Sequence, residues 1–577
     1  MATQPRPRLI RGGTIVDGTG APRFEADVRV RDGRIVEVAP DLAPAADEVV
    51  VEAAGCLVTP GFIETHTHYD GAMWWHPELD PLPGYGVTTM VMGNCGFSLA
   101  PAPADPAARH EIVKIFSFFE DIPEKPFFSE LPWDWRRWSE YRASLVGNVR
   151  LPVHFGAFVG HIAIRLAVMG MDAWERAATE DEIARMAALL EDALAAGAMG
   201  LSSNLFDHDG HDRPVPTLLA DDAELSALLD VIERHEGAIF QVIVDIFRNM
   251  TCVESVERLA RLCRGRRVRV QYGGIPTLEY HKSIGLQDRM IALHEKLRAE
   301  GLDFWTAFAH VPITGTVSVL HSLLFAQSNE YVWNEVVELP NDGSKERLMR
   351  DPAWRARARH SWDHEAFEFS SWAPRQREQI MLLNSANDVG PIGISLGDYA
   401  RELGVHPSDA MAEWLLANGL ESTITMAPWA KDEEMVLRLL RDPKAAGNVS
   451  DAGAHGQMLC GPGQNLELFT HYVQERGDLT VEEAVQSMTG RLAEHFSLRD
   501  RGTIAVGKRA DLAVFALDEI DVRPMKKIYD VPDGEGGTTW RWTRDPAPMR
   551  LTLVGGEATF ENGEATPARP GEMVRPG

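Results

Sequence analysis

Short apolar runs recur along the middle of the chain, and segments with helical periodicity separate them. The runs occupy residues 61–68, 86–93, 153–160, 198–204, 238–244, 268–272, 303–309 and 446–451. Runs that are apolar on both faces are typical of parallel strands covered by helices. These eight runs, alternating with helices, predict a (β/α)8 barrel; an open doubly wound sheet is the alternative. No glycine-rich phosphate-binding fingerprint follows any of the runs, which disfavours a nucleotide-binding sheet.

Two of the intervening helices have capping-box sequences at their start. Thr179 precedes Glu182 by three residues, and an apolar stripe then continues to a stop at Gly197. Thr480 and Glu483 repeat the same signal near the end of the central region. In a capping box the hydroxyl and the carboxylate satisfy free backbone N–H groups of the first turn, so both positions predict helix starts.

Both ends of the chain have the alternating pattern of short β-strands. Residues 8–58 alternate apolar and polar positions, with a hairpin turn at Asp32–Gly33, and a similar pattern returns from Asp511 to the end. We expect the two ends to form one small β-sandwich domain; two unrelated β-extensions are the alternative. The predicted division is 1–58 and 499–577 for the β-sandwich and 59–498 for the catalytic barrel.

A long segment separates the seventh and eighth predicted strands, at about residues 310–445. A connection of this length at the catalytic face of a barrel is typical of a lid or a specificity element. We expect its tryptophans to pack within the segment rather than to touch a ligand; they are Trp333, Trp354, Trp362 and Trp372.

Composition narrows the class of protein and its compartment. The 577 residues are 45% hydrophobic and 25% charged, a balance that disfavours disordered and fibrous classes. The net charge of -28 argues against a nucleic acid or an anionic membrane as the partner. The five cysteines are too sparse for a disulfide framework, and neither a signal peptide nor a membrane span is evident. We therefore expect a cytoplasmic protein.

The strongest local signal for chemistry is His66-Thr67-His68 at the end of the first predicted strand. A spacing of two places both imidazoles on one face of a strand, which in a barrel is the interior. At the carboxyl end of the strand they would stand in the mouth of the active site, where two neutral imidazoles can bind one face of a divalent metal.

Motifs spread over almost the whole chain resemble one family. They are RGGTIVDGTG, VTPGFIETHTHYD, GVTTMVMGNCGFSLAP, VGHIAIRLAVMG, ALAAGAMGLSS, NVSDAGAH, MTGRLAEHF and RGTIAVGKRADLAVF. On these motifs the chain resembles the metal-dependent amidohydrolase superfamily, in the branch of the D-aminoacylases (N-acyl-D-amino-acid deacylases). The resemblance implies a distorted (β/α)8 barrel with a small β-sandwich, and hydrolysis of a non-peptide amide C–N bond by metal-activated water.

The resemblance also implies a set of metal ligands. In that branch the two histidines, the cysteine of the GNCG turn and the aspartate ending strand 8 gather around zinc; here these are His66, His68, Cys95 and Asp451. The cysteine stands in for the carboxylated lysine that other amidohydrolases place on strand 4. Asp451 would carry the proton from water to the leaving nitrogen. The implied cofactor is a divalent metal, zinc with manganese as the alternative.

The chain departs from the family at two further ligand positions. The histidines that end strands 5 and 6 in the family are replaced here by Val242 and by Tyr272 or Gly273. We therefore expect at most one tightly bound ion. If all four remaining ligands bound it at once the site would be closed, so catalysis would need Cys95 or Asp451 to detach, or an expanded coordination.

In the family, basic residues after strands 6 and 8 suit the carboxylate of an amino-acid substrate. These basic residues are missing here. Arg165, Arg213 and Arg248 follow other strands; we expect them to be solvated at the surface, and substitution for the missing basic residues is the alternative. Trp74 and Trp75, together with Phe97, indicate a wall for an apolar or aromatic small molecule. The further candidate substrate contacts are His161, His208, His211 and Tyr272, and the 207–212 loop could also supply replacement ligands.

Two other functions remain open at this point. The chain could be an atypical member that acts on a neutral or cyclic amide or an ester, or a degenerate barrel that binds a molecule without chemistry. The joint presence of the four ligand-type residues favours an enzyme over a binding scaffold. The sequence is compatible with a homo-oligomer and does not determine the oligomeric state.

Overall fold

The structure is a computed structural model of the full chain. It describes residues 5–209, 213–247, 249–311, 315–320, 332–364, 379–425 and 430–577. Within these ranges, no helix combines the length and the apolar composition that crossing a bilayer requires.

The strands follow the predicted runs, and they are short. In chain order they are β1 Arg8–Ile15, β2 Phe24–Arg31, β3 Arg34–Ala39, β4 Val49–Glu52, β5 Leu57–Pro60, β6 Phe62–Glu64, β7 His66–Thr67, β8 Val87–Met92, β9 His154–Ala157, β10 Val159–Gly160, β11 Gly200–Leu205, β12 Ile239–Val244, β13 Arg269–Gly273, β14 Asp303–Ala307, β15 Thr316–Val317, β16 Leu382–Asn384, β17 Thr423–Thr425, β18 Ala445–Ala446, β19 Val449–Ala452, β20 Leu512–Phe515, β21 Met525–Pro532, β22 Thr538–Arg544, β23 Met549–Val554, β24 Glu557–Glu561 and β25 Glu564–Ala565.

Helices lie between the strands of the central region, as the alternating pattern predicts. They are α1 Pro106–Glu120, α2 Glu124–Ser129, α3 Trp138–Asn148, α4 His161–Met169, α5 Glu180–Ala195, α6 Asp222–Glu233, α7 Cys252–Cys263, α8 Glu279–Ser283, α9 Leu286–Ala299, α10 Asn334–Glu338, α11 Ser344–Arg350, α12 Pro352–His364, α13 Leu396–Leu403, α14 Pro407–Asn418, α15 Glu433–Arg441, α16 Val481–Met488 and α17 Gly490–His495, with a π-helix at Leu468–Glu475.

Apart from β15, β16 and β17, the strands of the central region pair in parallel and in chain order. They form three ladders, β6-β8-β9, β10-β11-β12-β13-β14-β18 and β19-β7. Each ladder ends where one residue or a short segment interrupts a strand, at Thr65, at Phe158 and at 447–448. The predicted parallel α/β architecture is thus confirmed, whereas the described ladders do not form one closed barrel.

The two ends of the chain share one sheet. Its order is β25-β24-β23-β20-β5-β1-β2-β3, with β4 beside β1, and the antiparallel pairing of β5 with β20 joins the two termini. The hairpin predicted at Asp32–Gly33 joins β2 to β3, and both turn residues have the positive φ, 47° and 73°, of a type I′ turn. Two unrelated β-extensions are therefore excluded.

Both predicted capping boxes are present. The Thr179 hydroxyl accepts from the backbone N–H of Glu182, whose carboxylate accepts from the N–H of Thr179, and α5 ends before Gly197. Thr480 and Glu483 make the same pair of bonds at the start of α16. The sequence was sufficient to predict both helix starts because each bond lies within one turn.

The long segment after β14 has a hydrophobic core of its own. A three-stranded antiparallel sheet, β15-β17-β16, accompanies helices α10 to α14. Trp333, Trp354 and Trp362 are buried in this core, as expected for packing residues, and Trp372 lies outside the described residues.

Candidate metal centre

The paired histidines lie together at the end of the first predicted strand, His66 on β7 and His68 directly after it. His66 and His68 are 5% and 1% exposed, and their ring centroids are 5.1 Å apart. The strand pairs in parallel with β19, where Val449 is the partner of His66. This pairing brings Asp451, nearly four hundred residues away in sequence, to the same end of the sheet.

Cys95 reaches the histidines from the turn after β8. Gly93 has φ of 74°, and a Cβ there would lie 2.5 Å from the Phe158 carbonyl oxygen, so the turn requires glycine at this position. The Cys95 sulfur lies 3.0 Å from His66 Nε2 and 3.7 Å from His68 Nε2. One donor atom from each of His66, His68 and Cys95 lies within 4.8 Å of the other two.

Asp451 completes the group of donors. Its Oδ1 lies 3.4 Å from His66 Nε2 and 3.5 Å from His68 Nε2, yet this buried oxygen makes no hydrogen bond. Cys95 and Asp451 both have left-handed φ, 58° and 52°, which costs non-glycine residues of order 1 kcal/mol each. Backbone strain at both residues is typical of a functional site.

Four of the six separations among these donors can be compared with those around a tetrahedral divalent ion. With metal–ligand bonds of about 2.0–2.3 Å, neighbouring ligand atoms stand about 3.3–3.8 Å apart. The four measured separations, 3.0, 3.7, 3.4 and 3.5 Å, lie in or near that range. Two imidazoles, a thiol and a carboxylate are also the donor types that zinc prefers.

The protonation states follow from burial and from neighbouring charges. Burial lowers the pKa of His66 to about 4, so its ring is neutral near pH 7 and keeps a lone pair for a metal. Burial raises the pKa of the Cys95 thiol, and the charges of Glu120 and Asp451 raise it further. Burial also opposes ionisation of Asp451, but the adjacent imidazoles outweigh it and lower its pKa. A bound divalent ion would displace the thiol proton.

A second layer of charged side chains surrounds the donors, and sequence reasoning did not identify it. Glu120, the last residue of α1, places Oε1 3.3 Å from His68 Nδ1. His455 Nδ1 lies 3.5 Å from Asp121 Oδ2. Burial lowers the pKa of His455, but the adjacent carboxylates of Asp121 and Glu120 raise it to about 9. Burial raises the pKa of Glu120 to about 7.

The donors line a cavity of about 320 Å³. Its walls come from the segments that follow β8, β11, β12, β13, β14 and β19, and from the end of α1. All of these segments except α1 leave the carboxyl ends of parallel strands, which is where active sites of this architecture are built. The cavity is therefore the candidate substrate pocket.

The predicted tryptophan wall lies elsewhere. Trp74 stacks on Trp135 at 5.7 Å, and Trp75 packs edge-on against Phe127, so neither lines the pocket. Phe97 does line it, as predicted. The other aromatic wall residues are Phe119, Phe206, Phe247 and Phe308.

The structure places the residues at the two altered ligand positions, Val242 and Tyr272 or Gly273, on different faces of β12 and β13. Val242 pairs with Tyr272, and both are buried outside the pocket, where the Tyr272 hydroxyl lies 2.9 Å from His294 Nδ1. The next pair, Ile243 with Gly273, lines the pocket. Because side chains alternate along a strand, a shift of one residue exchanges the inner and outer faces. Neither pocket-facing residue offers a ligand atom.

His161 and Arg165 belong to a buried network rather than to the pocket. His161 Nε2 lies 2.7 Å from one oxygen of Glu224, and Arg165 pairs with the other. All three side chains are fully buried. The expectation that Arg165 is solvated at the surface is wrong, because Glu224 supplies a buried partner that lies far away in sequence.

The remaining candidate residues differ in whether they reach the pocket. Arg213 pairs with Asp209 and Glu111. His208 forms a bridge to Pro214 and does not line the pocket. His211 and Arg248 lie outside the described residues. Of the 207–212 loop, Asp207 reaches the pocket, where its carboxylate accepts a 2.6 Å hydrogen bond from Asn204.

A parallel α/β frame that carries His, Cys and Asp side chains at the ends of its strands is typical of a metal-dependent hydrolase. Comparison with known proteins agrees with this class. The chain belongs to the amidohydrolase family, which it matches over residues 49–302 and 412–560. This match confirms the predicted superfamily and, with it, a hydrolase that acts on C–N bonds other than peptide bonds.

Several relatives match almost end to end. The chain is 28% identical to D-aminoacylase of Alcaligenes xylosoxydans xylosoxydans, covering 89% of this chain and 88% of the relative. It is 26% identical to N-acyl-D-aspartate deacylase of the same organism, covering 99% and 95%. A solved D-aminoacylase structure superposes with a TM-score of 0.65 at 26% identity, over 99% of this chain and all of the other; its binuclear metal centre is described as activated by one metal and attenuated by a second.

Proposed function

We propose that this protein hydrolyses the amide bond of a small N-acyl compound and that one divalent metal ion, held by His66, His68 and Asp451 with Cys95 alongside, supports the reaction. The observation that carries the proposal is the convergence of these four side chains on the wall of the 320 Å³ pocket. The D-aminoacylase relatives support the reaction type.

A bound divalent ion would supply Lewis acidity, which polarises the substrate carbonyl and acidifies water. The protein provides the groups that hold the ion and move the proton. Asp451 Oδ1 is buried, makes no hydrogen bond and faces both imidazoles, so it is placed to accept a proton from water. It can then return that proton to the leaving nitrogen.

One ion rather than two is proposed because the residues for a second site are missing. The pocket-lining residues of β12 and β13 are Ile243, Val244 and Gly273, and none of their side chains has a ligand atom. The activation of D-aminoacylase by a single metal supports a one-ion reaction. Zinc is the proposed ion because Cys95 offers a soft sulfur, and manganese is the alternative.

We extend the proposal to the architecture and the compartment. The three parallel ladders would form the wall of one (β/α)8 barrel within residues 59–498, with the shared terminal sheet formed by 1–58 and 499–577. All five cysteines are free thiols, which supports a reducing, cytoplasmic environment.

Elemental analysis combined with a hydrolysis assay tests this function. We expect about one equivalent of zinc or manganese per chain and hydrolysis of N-acyl-D-amino acids or neutral amides. His66→Ala should lose both the metal and the activity, whereas His471→Ala, which alters a histidine paired with Glu433 and Glu475 on the π-helix, should keep both. A metal-free wild-type protein with full activity would refute the proposal.

A further inference from the structure

We propose that the pocket selects an uncharged substrate whose apolar body carries a hydrogen-bond donor, and that His281 accepts this hydrogen bond at Nδ1. The inference rests on the proposed amide hydrolysis and specifies its substrate class. It concerns a residue of α8 that lines the same pocket as the proposed metal ligands.

The walls of the pocket favour an apolar body. Phe206 and Phe247 face each other at 6.2 Å between ring centroids, and Phe97 stacks on Phe119 at 5.4 Å. Aliphatic side chains that follow β12 and β13 complete the wall. Burying an aryl or alkyl group against such a surface gains about 25 cal/mol per Å² of apolar area removed from water.

The charges of the pocket disfavour a free carboxylate. Among the described residues that line it there is no lysine or arginine, while Glu120, Asp207 and Asp451 supply three carboxyl groups. His455 could carry a positive charge that attracts a carboxylate, but Asp121 Oδ2 already lies 3.5 Å from its Nδ1. Apart from the proposed metal ion, an anionic substrate would therefore meet no free cationic side chain among these residues.

His281 presents an unpaired acceptor. Its Nε2 lies 2.9 Å from the Ile246 carbonyl oxygen, and since a carbonyl only accepts, Nε2 must carry the hydrogen. The other nitrogen, Nδ1, then has a free lone pair, and this buried atom has no hydrogen-bond partner. Burial lowers the pKa of His281 to about 4, so the ring keeps this neutral form near pH 7.

The ring of His281 is also held in place. It packs edge-on against Phe247 at 5.7 Å and against Tyr280 at 5.4 Å. A buried acceptor without a partner is unfavourable, so a ligand that donates a hydrogen to Nδ1 gains more than one that cannot. His281 lines the same pocket as the metal donors, so its acceptor can select among substrates that reach them.

Three matched probes test the inference on the metal-loaded wild-type protein. N-acetyl-D-phenylalanine carries a carboxylate, N-acetyl-D-phenylalaninamide carries an uncharged donor, and its N,N-dimethylamide is uncharged without that donor. We expect kcat/KM of the carboxamide to exceed that of the dimethylamide about three- to tenfold and that of the carboxylate at least about tenfold. Equal rates for the two amides, or a preference for the carboxylate, would overturn the inference.

Two variants separate acceptance at Nδ1 from a structural role of the ring. His281→Gln places an amide N–H where Nε2 donates to Ile246 but removes the acceptor, so the carboxamide should lose its advantage over the dimethylamide. His281→Asn retains an acceptor near the Nδ1 position and should keep that advantage. The ring would only support the fold if wild type and His281→Gln showed the same ratio of kcat/KM between the two amides. The same conclusion would follow if both variants lost kcat/KM equally on both amides.

Binding distinguishes this inference from the reaction itself. If none of the probes is hydrolysed, thermal stabilisation of the metal-loaded protein by each probe still ranks their affinities. Stronger stabilisation by the carboxamide, lost in His281→Gln, would retain the pocket assignment while the proposed hydrolysis fails. No stabilisation by any probe would overturn the pocket assignment.

Discussion

Glu120 places its carboxylate 3.3 Å from Nδ1 of His68, on the opposite side of the imidazole from the Nε2 that faces Cys95 and Asp451. Carboxylates in this position fix the orientation of a ligand histidine and strengthen it as a donor. Glu120 would therefore act on the metal through His68, as a positioning residue.

Replacing Glu120 should weaken metal binding without removing a ligand. In Glu120→Gln we expect metal affinity to fall about 10–100-fold, because the carboxylate no longer orients and polarises His68. Competition with a chelator measures this change. Glu124→Gln, which alters a partly exposed glutamate that pairs with His110 near by, should leave the affinity unchanged. Unaltered affinity in Glu120→Gln would remove the positioning role.

Cys95 should set the preference between metals. In Cys95→Ser a hard oxygen replaces a soft sulfur at 3.0 Å from His66 Nε2. Zinc affinity should fall more than manganese affinity, because manganese prefers oxygen donors. Titration of each metal into the stripped protein measures the ratio, with Cys56→Ala in the terminal sheet as the control. An equal loss of affinity for zinc and for manganese would indicate that the sulfur does not bind the ion.

Sequence patterns were sufficient for the strands because each is a continuous apolar run, and for the helix starts because a capping box is local. They also singled out the four residues proposed to hold the metal, whose motifs resemble a known family, and the fold brings these four together. Glu120 was missed because no motif links the end of α1 to His68; only the fold brings them together.

The pocket wall could not be read from neighbours in sequence. Trp74 and Trp75 follow the histidines closely, yet they turn towards Trp135 and Phe127. The sequence was equally ambiguous about which side chains of β12 face the pocket, since Val242 and Ile243 are both apolar and point to opposite faces. Tertiary packing decides both cases, and a single sequence does not record it.

The buried network of Glu224 should contribute strongly to stability. Glu224 compensates the buried guanidinium of Arg165 and lies 2.7 Å from His161 Nε2. Glu224→Gln would leave the arginine charge unpaired, and we expect it to lower the free energy of unfolding by about 3–5 kcal/mol. Urea denaturation at a fixed metal concentration measures the loss.

A surface ion pair provides the matched control for this network. Glu254→Gln removes a glutamate whose side chain is 63% exposed and that pairs with Arg289. Its effect should stay within about 1 kcal/mol, because water and salt screen exposed pairs. If the two variants lost similar amounts of unfolding free energy, burial would not explain the contribution of Glu224.

A buried ion pair between the terminal sheet and the central region should make stability depend on pH. Asp511 Oδ1 lies 3.2 Å from His154 Nε2, and Arg501 lies 3.1 Å from the other oxygen. Burial opposes ionisation of Asp511, but the charges of His154 and Arg501 outweigh it and lower the pKa of this carboxyl below its usual value. An aspartate in the unfolded chain has a pKa of about 3.9.

The sign of the pH effect follows from that lowered pKa. Below about pH 4 the unfolded chain binds a proton at Asp511 that the folded protein does not, so stability falls by up to about 1.4 kcal/mol per pH unit from this group. In Asp511→Asn the contribution is absent, so the difference in unfolding free energy from wild type should be largest at pH 7 and shrink below pH 4. Urea denaturation from pH 3 to 7 measures it, with Asp521→Asn, which alters an exposed aspartate paired with Arg523, as the control. Because other carboxylates titrate identically in both proteins, a difference that stays constant over this range would show that Asp511 does not carry the effect.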